Sequence, residues 1–310
     1  MKVLFTFPGQ GAQVPGMLQQ LPDLPAVQHT LEEASSTLAR DVLQLDGARE
    51  LQSTVAVQLC LLIAGVASAR LLSEQAGPPD MVAGLSIGAF AAAVTAGVLS
   101  FHDALLLVEQ RALLMQQAYP TGYGMSAVSG LNEEQLEARL QPLRHAGLPV
   151  YIANLNAEQQ LVVAGSTTAL QHLEQNIQAS GNGHCRRLAI SVPSHCPLLN
   201  EAAECLRQRF SSLTLHAPRC AFLSTNQARM LWQTDQLQDD LAHNMSRQVH
   251  WHAATRLAYE RGIRLVIEMR PGNTLTRLAR PVFLDGEALA MADTRLDTVI
   301  TLIQRVAKAG

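Results

Sequence analysis

Three side chains in this 310-residue sequence are of types that can handle an acyl group. Ser86 is framed by glycines in Gly84-Leu85-Ser86-Ile87-Gly88, His195 by prolines in Pro193-Ser194-His195-Cys196-Pro197, and Arg111 by Leu106, Leu107, Leu113, Leu114 and Met115. A serine hydroxyl becomes a nucleophile when a base takes its proton, and imidazole suits that task near neutral pH. A guanidinium grips a planar carboxylate through two parallel bonds. Each residue also has an ordinary explanation. Gly-x-Ser-x-Gly recurs by chance, one histidine among ten is more often a surface or hydrogen-bonded core residue, and an arginine among leucines can snorkel to water and pair with a neighbour.

The flanking segments decide how the serine is held. Met81-Val82-Ala83-Gly84 reads as a buried strand and Ala89 to Gly97 as a helix of small residues ending at a glycine. A serine at the tip of such a strand-to-helix turn adopts a strained backbone, and side chains at the flanking positions would collide with neighbouring segments. The turn also places the hydroxyl at a helix N-terminus, where free N–H groups favour an oxyanion. Val3 to Phe7 is a first strand and Pro8-Gly9-Gln10-Gly11-Ala12-Gln13 a sharp loop. That loop is a plain turn, an incomplete dinucleotide fingerprint with Val14 in place of the third glycine, or a donor of one backbone N–H to an oxyanion hole.

Composition narrows the function classes. Charged residues make up 16% without long blocks, and the net charge of −3 offers no electrostatic surface for nucleic acid. The amino terminus lacks a signal-peptide core, no apolar run is read as reaching transmembrane length, and no membrane association is expected. Five scattered cysteines argue against a disulfide scaffold, and a reducing cytoplasm is the expected setting. His250 and His252 have no third ligand nearby, so no metal is expected.

Helices are expected over 26–46, 50–75 and 101–119. From 125 the pattern changes to strand, helix, two strands, helix and strand, the last being Arg187 to Val192. This βαββαβ order is ferredoxin-like. Residues 125–192 are therefore read as a small subdomain inserted into a large α/β domain made of 1–124 and 193–310. The remainder alternates a helix from Leu198 to Phe210, strand Ala221–Ser224, helix Leu237–Met245, a helix to Arg261, strand Leu265–Glu268, a helix after Pro271 and a closing helix over Thr294–Lys308.

Taken together, Phe7-Pro8-Gly9-Gln10-Gly11-Ala12-Gln13, Gly84-Leu85-Ser86-Ile87-Gly88, Arg111, Ser191-Val192-Pro193-Ser194-His195 and Glu268-Met269-Arg270-Pro271-Gly272 resemble, in order and spacing, the malonyl-CoA:acyl-carrier-protein transacylases. The resemblance covers nearly the whole chain. It implies an α/β-hydrolase-like domain with a mainly parallel sheet and a nucleophile elbow, plus the ferredoxin-like insert. It implies Ser86 as nucleophile, His195 as its base, the amides of Gln10 and Ile87 as oxyanion hole, and Arg111 as the anchor of the malonyl carboxylate. The position whose carbonyl orients the base is usually glutamine in this family, and is Asn244 here. No permanent cofactor is implied; malonyl-CoA is the donor and an acyl carrier protein with a CoA-like prosthetic group the partner.

Several residues depart from the family pattern: Leu85 where histidine is common, Ala89 where an acid is usual, Arg270 where Gly-Pro-Gly is usual, and Asn244. These point away from the enzyme of fatty-acid synthesis, whereas the Gly84-Leu85-Ser86-Ile87-Gly88-Ala89 elbow, the segment Asn244-Met245-Ser246-Arg247-Gln248-Val249-His250-Trp251-His252 and the overall length are most like the malonyltransferase subunit of bacterial malonate decarboxylase, whose carrier and other subunits would then be partners. The alternatives are a fatty-acid or polyketide malonyl transacylase, a serine hydrolase or thioesterase, and a non-catalytic carrier-binding subunit. Arg186, Arg187, Arg247 and Arg264 are available to an acidic partner, although scattered arginines are more often merely solvated.

Overall fold

A computed structural model describes residues 2–308. Its larger sheet combines β1 (Lys2–Phe7), β2 (Met81–Gly84), β7 (Ala221–Ser224), β8 (Arg229–Leu231), β9 (Ile263–Glu268) and β10 (Glu287–Ala290) in the order β10-β9-β1-β2-β7-β8. Every pairing is parallel except β7 with β8. β1 and β2 are buried on both faces, which explains why they read as continuous apolar runs rather than alternating ones. Helices cover the sheet: α1 (Pro25–Thr37), α2 (Thr54–Ala76), α3 (Gly88–Thr95), α4 (Phe101–Ala118), α7 (Asn200–Arg209), α8 (Thr234–His243), α9 (Trp251–Glu260), α10 (Thr274–Ala279) and α11 (Leu296–Lys308). By length and composition α2 is apolar enough to cross a membrane, contrary to the sequence reading. Its isolated polar residues break every apolar run while leaving the average high. The helix is buried within the fold, packed among α1, α3, α4 and α11.

The second sheet is antiparallel, in the order β4-β5-β3-β6, from β3 (Tyr123–Ser129), β4 (Val150–Ala157), β5 (Gln160–Ser166) and β6 (His184–Arg187). With α5 (Glu133–His145) and α6 (Thr167–Ser180) it gives the ferredoxin-like arrangement. Asn132 opens α5 with a full capping box to Gln135, and Gly181 closes α6 in the left-handed region. Leu136, Leu140, Leu161, Val163, Leu170 and Leu173 belong to a core separate from that of the large sheet. The outer edge of β4 is not left open. Leu155 donates to the Val249 carbonyl at 2.8 Å and Val249 donates to Ala153 at 2.8 Å, so a short segment of the larger body caps the strand.

Some elements differ from the sequence reading. The last strand of the small sheet is His184–Arg187 rather than 187–192. It is a largely exposed edge strand and needs no apolar stripe, whereas Leu188, Ala189 and Ile190 owe their apolar character to lining a cavity. α1 ends at Thr37, with Ala39 in the left-handed region and a short 3-10 turn at Val42–Gln44 beyond it. The helix expected from Leu198 starts as a 3-10 turn at Pro197–Leu199 and becomes α-helical at Asn200.

Candidate active site

Ser86 is at the turn between β2 and α3 with φ 54°. Both flanking glycines are sterically required. A Cβ on Gly84 would come within 2.1 Å of the Ala89 nitrogen, and one on Gly88 within 2.2 Å of the Phe7 carbonyl oxygen. The loop after β1 presses on the same turn, since a Cβ on Gly9 would approach the Leu85 carbonyl oxygen to 2.8 Å and the Ser86 Cβ to 3.4 Å. Thr225 Oγ1 donates to the Gly84 carbonyl at 2.9 Å and holds the elbow from the other side.

His195 comes to Ser86 from 109 residues away. Its Nε2 is 2.8 Å from Ser86 Oγ, and its Nδ1 faces the carbonyls of Asn244 at 2.8 Å and Arg247 at 3.2 Å. Carbonyls only accept, so Nδ1 carries the hydrogen and Nε2 is left to accept from the serine hydroxyl. The residue is buried, has φ 62°, and its own N–H donates to the Met245 carbonyl at 2.7 Å. Burial, then the charge of nearby Arg111, lower the imidazole pKa to about 4, outweighing the two carbonyl bonds that raise it. The imidazole is therefore neutral at physiological pH, with Nε2 free to accept a proton.

Arg111 does not snorkel. It is fully buried on the inner face of α4, while Leu106 and Leu113 take the exposed positions. Nη1 donates to Gln58 Oε1 at 2.6 Å, and Nη2 donates to Asn244 Oδ1 at 3.2 Å and to Ser86 Oγ at 3.3 Å. Its Nε has no protein partner among the described residues. Every partner is neutral, and burial alone lowers its pKa to about 9, so the guanidinium is a cation beside a serine without a counter-charge among the described residues. A carboxylate entering here would supply one.

Ser86 and His195 open on a cavity of about 560 Å³ between the two sheets, and Arg111 is buried behind Ser86. The loop 8–13, Ser86 and His195 form one side, and Met125, Asn154, Asn156, Val162 and Arg187 contribute to the other. Among turns and loops of the described residues, the amides of Gln10 and Ile87 donate to no backbone carbonyl. Arg186 and Arg187 line the cavity, whereas Arg247 pairs with Asp239 and Arg264 donates to the Tyr259 carbonyl. Leu85 packs with Val249, Trp251, Leu275 and Leu278, so an apolar cluster stands where the family commonly has histidine. Gln58 and Asn226, which bonds to Asn244, are part of this network and were not found from the sequence. For Gln58 a signal existed: an amide inside the apolar run of α2 needs a buried partner.

The fold is that of an acyltransferase: residues 4–308 match the family model described as the acyl transferase domain, and the chain belongs to that family. Within it the chain falls with the malonyl CoA-acyl carrier protein transacylases. It is 34% identical over 284 residues to the protein of that name from Escherichia coli strain K12, covering 90% of this chain and 92% of that one. The solved malonyl CoA-acyl carrier protein transacylase of Coxiella burnetii superposes with a TM-score of 0.91 at 33% identity, covering 99% and 97% of the two chains. A malonyl-transacylase solved in complex with a type II PKS acyl-carrier protein also gives 0.91, at 32% identity, covering 98% and 100%.

Proposed function

We propose that this protein moves a malonyl group from malonyl-CoA to the prosthetic-group thiol of an acyl carrier protein, through an ester on Ser86. The observation that carries the reading is the convergence of Ser86 Oγ with His195 Nε2 at 2.8 Å and Arg111 Nη2 at 3.3 Å. Ser86 Oγ attacks the thioester carbonyl while its proton passes to His195 Nε2. The resulting oxyanion is held by the amides of Gln10 and Ile87. On collapse the C–S bond breaks, His195 returns the proton to the departing CoA sulfur, and malonyl-serine remains. A carrier thiol then runs the same steps in reverse. Arg111 binds the malonyl carboxylate, a group that acetyl-CoA lacks. The Asn244 carbonyl, with that of Arg247, holds the imidazole in the reactive tautomer.

The relatives named above support a carrier of fatty-acid or polyketide synthesis more directly than the carrier subunit of malonate decarboxylase. The decarboxylase reading rests on the Gly84–Ala89 elbow, segment 244–252 and the overall length, and the first two meet where Leu85 packs on Val249 and Trp251. Five cysteines, none disulfide-bonded among the described residues, and a CoA thioester donor support a cytoplasmic setting. Intact mass after incubation with malonyl-CoA, for the wild type and Ser86→Ala, tests the transfer reading. A Ser86-dependent malonyl adduct supports it. Steady CoA release without adduct indicates a hydrolase, and neither outcome indicates a binding subunit. Offering the loaded enzyme each type of holo-carrier then identifies the acceptor.

A further inference from the structure

We infer that Asn226, in the loop between β7 and β8, is a positioning residue that sets the base and the carboxylate-binding cation from one point; the inference rests on the acyl-transfer reading above. Asn226 Nδ2 donates to the carbonyls of Arg247 at 2.9 Å and Gln248 at 3.2 Å, and its Oδ1 accepts from Asn244 Nδ2 at 2.8 Å. The Arg247 carbonyl is one of the two that His195 Nδ1 faces, and Asn244 Oδ1 accepts from Arg111 Nη2. One side chain is thus a single bond away from a support of the imidazole and a single bond away from a support of the guanidinium.

The direction of this chain is fixed by its ends. Carbonyls only accept, so the amide nitrogen of Asn226 must face 247 and 248; a guanidinium only donates, so the amide oxygen of Asn244 must face Arg111. The two side chains between these ends then have one arrangement in which nitrogen meets oxygen throughout. An asparagine at 226 satisfies both demands, whereas an aspartate would set an oxygen against two carbonyl oxygens.

The loop is tied down on both sides of this residue by other groups. Ser224 Oγ donates to buried Asp240 at 2.6 Å, the Gln227 amide donates to Ser224 Oγ at 3.1 Å, Gln227 Nε2 donates to Asp240 at 3.1 Å, and Thr225 holds Gly84. Substitution at 226 therefore removes the relay and leaves the loop's own anchors.

The test is Ser86 loading followed by intact mass in single turnover, with malonyl-CoA and acetyl-CoA, on wild type, Asn226→Ala, Asn226→Asp, Arg111→Ala and the Arg111→Ala/Asn226→Ala double variant, each checked for its melting temperature. Loss of a bond supporting a charged group predicts that Asn226→Ala lowers malonyl-over-acetyl selectivity about tenfold and slows loading with both donors. With Arg111 already gone, removing Asn226 costs no further selectivity. Asn226→Asp keeps an acceptor for Asn244, so it holds selectivity within about threefold while loading of both donors slows. Wild-type rates in Asn226→Asp, unchanged selectivity in a folded Asn226→Ala, or a further loss of selectivity in the double variant overturns the inference. A wild type that forms no Ser86 adduct overturns the transfer reading and this inference with it.

Discussion

If Arg111 binds the malonyl carboxylate as proposed, replacing it by alanine separates recognition of the malonyl group from the chemistry on it. The guanidinium is fully buried and its partners among the described residues are all neutral, so a bound carboxylate would supply a counter-charge that they do not. Each hydrogen bond between such charged groups is worth about 1.5–3 kcal/mol, and a bidentate grip about 3–4 kcal/mol at the lower end. At about 1.4 kcal/mol per decade this is a loss of about 10² to 10³ in kcat/KM for malonyl-CoA. Acetyl-CoA has no group to lose, so its loading changes less than about tenfold. The variant also strands the amide oxygens of Gln58 and Asn244 at about 1–3 kcal/mol each, so its melting temperature falls and rates are compared where it is folded. Arg111→Lys keeps the charge without the planar fork and falls between wild type and alanine. The assay is initial Ser86 loading by each donor in single turnover. An equal loss for malonyl and acetyl in the folded alanine variant refutes the assignment.

Other predictions concern the frame around these groups. Gly88→Ala places a methyl 2.2 Å from the Phe7 carbonyl oxygen, a clash with backbone that no rotamer relieves, so denaturant unfolding shows a loss above about 3 kcal/mol and loading disappears. For His195 the folded pKa, near 4, lies below the ordinary value, so between the two the unfolded chain binds a proton that the folded chain refuses. The group's contribution to stability is therefore present above the ordinary histidine range and lost as pH falls toward about 4. The acid limb of Ser86 loading lies near the same value, and Arg111→Ala moves it upward by removing a neighbouring cation; an unmoved limb refutes the coupling. Thiol labelling of the native protein modifies exposed Cys205 first and spares Cys60 and Cys196, whose pKa values burial raises to about 12; peptide mapping checks this.

The elbow was legible because its constraint is local: two glycines, a strand before and a helix after are all within ten residues. The βαββαβ order was legible for the same reason. What could not be read depended on partners distant in sequence. Arg111 looked like a snorkelling side chain because the period of α4 shows that leucines surround it without showing that Gln58 and Asn244 wait on the far side. Asn226 carried no local signal at all, since its meaning comes from carbonyls 21 and 22 residues further on. The strands β8 and β10 were missed because each is short and is defined by its neighbour rather than by its own composition.

The capping of β4 by Val249 bears on how this protein behaves at high concentration. A sheet margin exposes rows of unpaired N–H and C=O groups that recruit strands from other molecules. Here one margin of the small sheet is bridged at Asn154, midway along β4, by the chain's own backbone, and the other, β6, presents a histidine and two arginines. The margins of the large sheet are strands of three and four residues, too brief to template a partner. The fold thus resists self-association through its strands by covering, charging or shortening each margin, while the cavity between the sheets stays open to a visiting substrate.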